Sequence, residues 1–153
     1  MKLLRFQSWL AALWTGLIVA VGGLAAPSLF MVLDRQLAGV AAGRIFTLEA
    51  KVSLGVAMLL FAIERRRVRD LAESGMTTTV MTGNLLLILG ALFLTIFGEF
   101  ALHPMIEAAK AGQPTTLSFG ALHGVSASLF WLRAVVVGSL AWRLTANQAQ
   151  PKV

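Results

Sequence analysis

The sequence predicts an all-α membrane protein, a single bundle of four transmembrane helices, on three observations. Four apolar stretches, at residues 9–33, 45–63, 79–102 and 117–141, take up most of the 153 residues. Hydrophobic residues make up 58% of the chain against 13% charged, with a mean hydropathy of +0.80, a balance that a water-soluble fold of this size has no interior large enough to hide. Basic residues gather beside the apolar stretches more than within them. A helix rises about 1.5 Å per residue and the hydrocarbon core is about 30 Å thick, so roughly 20 largely uncharged residues make one crossing. Short connections leave room for one domain only, covering 1–153.

The first stretch begins after Lys2 and Arg5 and could pass for a signal peptide. It runs on through Pro27 to Leu33, well past the roughly 7 to 15 residues of a signal's apolar region, so it reads as an uncleaved first span. Lys2, Arg5, Arg65, Arg66, Arg67, Arg69, Arg143 and Lys152 fall on one side of the four-span frame, against Arg35, Arg44 and Lys110 on the other. Positive charge stays in the cytoplasm during insertion, which puts both termini and the 64–70 connection inside and predicts an inner-membrane protein. Trp9 and Trp142 suit interfacial anchors. The 34–44 connection is short and small-residue-rich. After the third span, Pro104 at a first helical turn, Glu107, Lys110 and Gly112 come in the order of helix start and stop signals. They predict a separate short helix at 104–111 on the outer surface. No strand and no internal repeat is legible, and 148–153 reads as a frayed tail.

Helices in lipid associate through close backbone approach, so small residues mark packing faces. Ala12, Gly16 and Ala20 form one stripe, Gly39 and Gly43 a second, and Gly120, Gly124 and Ser128 a third. They are read first as packing within the bundle and second as the seam of a homo-oligomer. The net charge of +6 is explained by membrane orientation, and no nucleic-acid partner is expected. Zero cysteines exclude a disulfide framework, a thiolate metal site and a Cys nucleophile.

Ionisable groups cost roughly 2.5–3.5 kcal/mol each within a bilayer, so those that remain have partners or line polar space. Glu49, Glu99, His103 and His123 fall toward the outer ends of three spans, with Asp34 near the outer end of the first. An outer polar layer follows, a candidate ion or solute pathway formed by Asp34, Glu49, Glu99 and His123 with Arg133 as an inner contact. Glu99 and His103 stand four apart, a spacing used by metal sites in helical bundles, and with Glu49 and His123 they make a candidate set for a divalent metal. The bland alternative pairs Glu99 with Lys51 or Arg44, and Pro104 tends to pull His103 out of helical geometry. A haem held by His103 and His123 is a further alternative. Ser126 and Ser128 near His123 read as interhelical hydrogen-bonding groups rather than a hydrolase pair. Arg133, about 15 Å down the helix from Arg143, needs a partner, and Asn84 is the nearest by depth.

Gly22-Gly23-Leu24-Ala25-Ala26-Pro27-Ser28-Leu29-Phe30, residues 39–46, His103-Pro104, and Phe119 with His123 and Ser126 together resemble the family of small four-helix membrane proteins related to transmembrane protein 205. The likeness covers nearly the whole chain in order and topology. It implies the same four-span fold and, from the platinum resistance associated with a eukaryotic relative, a role in handling metals or solutes. Relatives can carry an acidic residue before the proline, whereas His123 stands at a matching position. With no catalytic signature, the reading is a non-enzymatic protein of solute or ion handling or membrane homeostasis, partnered by lipid and by small solutes, ions or anionic lipid. The runner-up is a metal- or haem-dependent membrane protein, an enzyme among the options. A third class is a structural or assembly protein whose polar residues only lock the bundle.

Overall fold

The computed structural model describes residues 2–76 and 79–149, all helix and connecting turn. In order the elements are α1 (Lys2–Ala20), a π-helical turn π1 (Val21–Ala25), α2 (Ala26–Val32), α3 (Arg35–Glu73), α4 (Gly83–Ile96), a second π turn π2 (Phe97–Leu102), α5 (His103–Lys110) and α6 (Phe119–Ala149). Grouped through the π turns they give four helices long and apolar enough to cross a membrane, Leu3–Val32, Arg35–Glu73, Gly83–Lys110 and Phe119–Ala146. The anchors Trp9 and Trp142 are exposed. Of the expected tail, residues 150–153 lie outside the described part of the chain.

Local chemistry sets the ends. The Asp34 carboxylate accepts the backbone N–H groups of Gln36 and Leu37 and starts α3, and Thr82 accepts that of Leu85 and starts α4. Ser118 accepts that of Ala121 and starts α6. At the other ends, Gly75 (φ 78°) and Gly112 (φ 72°) take the left-handed conformation that stops α3 and α5. The N–H of Met76 returns to the carbonyl of Leu71, and that of Gln113 to Ala108.

The helix expected as a separate surface piece at 104–111 is instead the continuation of the third span. A proline inside a helix has no N–H to give and its ring crowds the carbonyl four residues back. Here the chain widens by one residue just before the ring. Ala26, preceding Pro27, donates to the carbonyl of Val21, and His103, preceding Pro104, donates to that of Gly98. Both bonds skip back five residues, and the helix resumes on the far side. His103 therefore stays helical (φ −58°, ψ −47°) despite its proline, against the sequence expectation.

The same device in spans one and three exposes an internal repeat that the sequence reading had not found. Buried positions 7, 8, 11, 14 and 18 of α1 and 84, 85, 88, 91 and 95 of α4 are related by one constant shift. So are Ala38, Glu49, Ala50, Ser53 and Leu60 of α3 and Leu122, Arg133, Ala134, Val137 and Leu144 of α6. The repeat hides from sequence because equivalent positions hold unlike residues, Trp14 against Ala91 and Glu49 against Arg133, while the register persists.

α1 packs on α6 and α3, and α4 on α3 and α6. The apolar core fills the half of the bundle nearer the chain ends, around Trp14, Ile18, Leu60, Ile88, Val137, Leu140 and Leu144. In the far half α2 stays with α3 and α5 with α6, and space opens between these two hairpins. The three small-residue stripes do not close it. Ala12, Gly16, Ala20, Gly120, Gly124 and Ser128 are exposed on the outside of the bundle, and a Cβ added at Gly16, Gly39, Gly43, Gly120 or Gly124 would meet nothing within 4 Å. Intramolecular packing is not their role, because the large residues on the opposite helix faces already make those contacts. Close packing falls instead on Gly22 in π1, where a Cβ would run into the Phe130 ring, and on Gly83, where it would meet the Arg143 guanidinium. Gly22→Leu should lower stability by about 1–3 kcal/mol, checked by thermal unfolding of the purified variant beside Gly16→Leu, which should be neutral.

Candidate functional site

The opening between the hairpins is a cavity of about 1280 Å³, larger than the roughly 300–1,000 Å³ of most small-molecule sites. Its walls come from all four spans. Gly39 and Gly43 line it from α3, Gly22 and Pro27 from the first span, Leu94 and Gly98 from the third, and Phe119, Leu129 and Phe130 from α6. Glycine on α3 thus leaves room rather than drawing helices together.

Glu49 and Arg133 form the floor. The Arg133 Nη2 to Glu49 Oε2 distance is 2.5 Å, with both side chains almost wholly buried. Arg133 also donates through Nη1 to Thr95 Oγ1 at 3.1 Å, and Thr95 passes its own proton to the Ala91 carbonyl. On the other side Ser53 donates to Glu49, and Trp14 Nε1 donates to Ser53 at 2.7 Å. One continuous chain of hydrogen bonds therefore ties α1, α3, α6 and α4, each charge desolvated but directly paired. The two charged residues occupy equivalent positions of the two halves, Glu49 as far from its cap Asp34 as Arg133 is from Ser118. So do Phe46 and Phe130, whose rings meet edge to face at 5.2 Å. The Arg133 guanidinium lies 5.2 Å from the Phe130 ring centre, and its Nε is buried with no hydrogen-bond partner.

This pairing corrects the sequence assignment. Counting span two from 45 puts Glu49 shallow in the outer layer; with α3 starting at Arg35 it lies about four turns deep, level with Arg133. Asn84, proposed for Arg133, instead accepts from Arg143 at 3.3 Å.

Higher in the cavity stand Glu99, His103, Glu107, Lys110 and His123. His103 sits between two carboxylates, Nδ1 3.7 Å from Glu99 and Nε2 3.7 Å from Glu107, and Lys110 closes on Glu107 at 2.7 Å. Glu99 therefore faces His103, not Lys51 or Arg44. His123 stacks on Phe119 with ring centres 5.9 Å apart. Glu49, Glu99, His103, His123 and Arg133 share one cavity, but among the described residues no three of His, Asp and Glu approach closely enough to hold one metal ion. The floor charge of Glu49 is committed to Arg133, which is why the four-residue metal set does not assemble. Asp34 lies outside the cavity, with its carboxylate spent on the α3 cap.

Sequence reasoning missed Ser53, Thr95 and Trp14, because neutral residues in an apolar run carry no charge signal; the four-residue step from Glu49 to Ser53 was the available clue. It also missed Glu64 at the near end, the first residue of the expected 64–70 connection. Glu64 is fully buried and accepts from Gln7 (3.2 Å), from Arg67 through two bonds (2.9 and 2.7 Å) and from Thr82 (2.8 Å), joining α1, α3 and the start of α4. Glu64→Ala should cost roughly 1–3 kcal/mol, limited because Arg67 is left part-exposed and able to reach water. Comparing unfolding midpoints of wild type and variant checks it.

Fold and site together define a four-helix protein of membrane type, built from two structurally equivalent hairpins around a cavity with a charged floor. Residues 9–114 match the family model described as a domain of unknown function, DUF4149, and the chain belongs to that family. No curated protein and no solved structure matches it.

Proposed function

We propose that this protein is a non-enzymatic solute-handling protein of the inner membrane, oriented with both termini inside, and that the cavity between its hairpins is where the solute binds. The observation that carries the reading is that polar residues scattered over three spans, Glu49, Glu99, His103, His123 and Arg133, line one cavity. A space with a buried ion pair at its floor is a costly thing to keep in a bilayer unless it is filled by something. Parallel-repeat membrane proteins bind solutes near the midplane between their halves, at interrupted helices. Here the cavity lies between the halves and beside both π turns, a non-α geometry frequent at functional sites. The resemblance to the transmembrane protein 205 family supports the same reading.

In this orientation the cavity opens away from the cytoplasm. The chain has no cysteine of its own, so Arg66→Cys and Gln113→Cys report topology cleanly. An impermeant maleimide should label Gln113→Cys in intact cells and Arg66→Cys only after permeabilisation; the reverse pattern contradicts the orientation. Binding is tested by a thermal-shift screen of small solutes, lipids and ions on wild type and on the cavity-filling variant Gly43→Phe. Ligand at a hundred times its Kd adds about 2.7 kcal/mol to stability. At least one solute class should shift the wild type and leave the filled variant unmoved; a screen in which none shifts the wild type, or every shift is shared, contradicts the reading.

A further inference from the structure

We infer that the cavity takes an anionic amphiphile, a molecule with a carboxylate or phosphate head and an extended apolar body; this rests on the binding role proposed above and names the class of ligand. The first ground is the charge left over. Among the described residues that line the cavity, each carboxylate faces a cationic or imidazole group: Glu49 faces Arg133, Glu99 faces His103, and Glu107 faces Lys110 and His103. Arg35 and Arg44 also line the cavity, and neither has an ion-pair or hydrogen-bond partner among the described residues. Arg35 opens α3 and Arg44 lies nine residues, about 13.5 Å, further along it toward the floor, so two separate guanidinium groups are free, each able on its own to hold a planar or tetrahedral oxyanion through two N–H bonds.

The second ground is the wall. Between the mouth and the floor the lining is dominated by Phe30, Val40, Leu94, Phe119, Leu129 and Phe130. Phe30, Val40 and Phe119 are exposed side chains of this lining, Phe119 carrying the His123 ring. Small hydrated ions gain nothing from such walls, whereas an acyl or aromatic body buries them. The volume of about 1280 Å³ exceeds what a simple anion or sugar fills.

The third ground is the floor. Arg133 and Glu49 both line the deep end and are committed to each other, so the floor offers a ligand no unpaired carboxylate. A cationic head finds Glu49 and Glu107 already ion-paired, with Glu99 alone facing an imidazole. An anionic head gains Arg35 or Arg44, each an exposed guanidinium.

The test is equilibrium binding to the purified full-length protein in neutral detergent, with three probes: a fluorescent long-chain fatty acid, a trimethylammonium amphiphile of the same chain length, and inorganic phosphate as a head without a body. The fatty acid should bind saturably, about tenfold or more tighter than the cationic amphiphile. Arg35→Gln with Arg44→Gln should weaken it about tenfold, and Arg35→Lys with Arg44→Lys should recover part of the loss. Both positions are exposed, so folding is unaffected, and an unchanged unfolding midpoint verifies that. Equal binding of the two amphiphiles, or no effect of the Gln pair, overturns the inference. If that equal binding is lost in Gly43→Phe, the cavity reading survives and only the ligand class fails; if neither amphiphile binds, both fail. Phosphate binding as tightly as the fatty acid overturns the amphiphile assignment in favour of a free oxyanion.

Discussion

Arg133→Met is expected to lower the stability of the purified protein by about 3–5 kcal/mol, the largest effect of any single substitution considered, because it strands Glu49 as a buried charge with no counterion. The magnitude follows from geometry. Glu49 is 4% exposed and Arg133 also 4%, so little of either charge reaches solvent when its partner goes. The Glu49→Gln, Arg133→Met double variant should recover most of the loss. Ser53 can then return its proton to the carbonyl of residue 49 on its own helix, and Thr95 already gives its proton to Ala91. Chemical unfolding in detergent, followed by tryptophan fluorescence, separates the cases, since Trp14 is part of the network. If single and double variants lose equal stability, the pair is not what the bundle depends on.

Gly43→Phe is the converse experiment, expected to abolish ligand binding by tenfold or more while leaving stability equal or higher. A Cβ at Gly43 meets nothing within 4 Å, and the residue lines the cavity. The new ring enters open space. Replacing glycine in a helix interior also recovers about 0.5–1 kcal/mol of backbone entropy. The contrast with Arg133→Met is the point of the pair: one variant destabilises the protein by removing a charge from the cavity floor, and the other fills the cavity with the fold untouched. A Gly43→Phe protein that binds as well as wild type places the ligand elsewhere; one that fails to fold shows that the space is smaller than described.

Hydropathy and length made the four spans legible, and Gly112 marked where the helix after Pro104 ends. What hid was anything encoded in register rather than in residue type. Counting span two from residue 45 put Glu49 and Arg133 in different layers, whereas counting from the Asp34 cap puts them level. Pro104 reads in isolation as a helix start; only its likeness to Pro27, each preceded by a glycine-bearing stretch, reveals a π turn within a continuous span. Gly39 and Gly43 look like a packing stripe by the same spacing rule that a cavity wall satisfies, because sequence reports the size of a side chain and not what stands opposite it. Glu99, His103 and His123 were chosen on charge within apolar segments, and they line the cavity that was sought. Their expected convergence on one metal was a statement about angles around the helix, which a single sequence does not fix once π turns rotate the register.

The central claim is that the far half of this bundle encloses an accessible polar cavity, and single-cysteine accessibility tests it most directly. In membranes, Gly43→Cys in the cavity and Ala57→Cys in the apolar core, where Ala57 is fully buried, are exposed to a charged, impermeant maleimide on the non-cytoplasmic side. Rapid labelling of Gly43→Cys, slowed by saturating fatty acid, with none at Ala57→Cys, is the predicted result. No labelling at Gly43→Cys, or labelling at both positions alike, contradicts it.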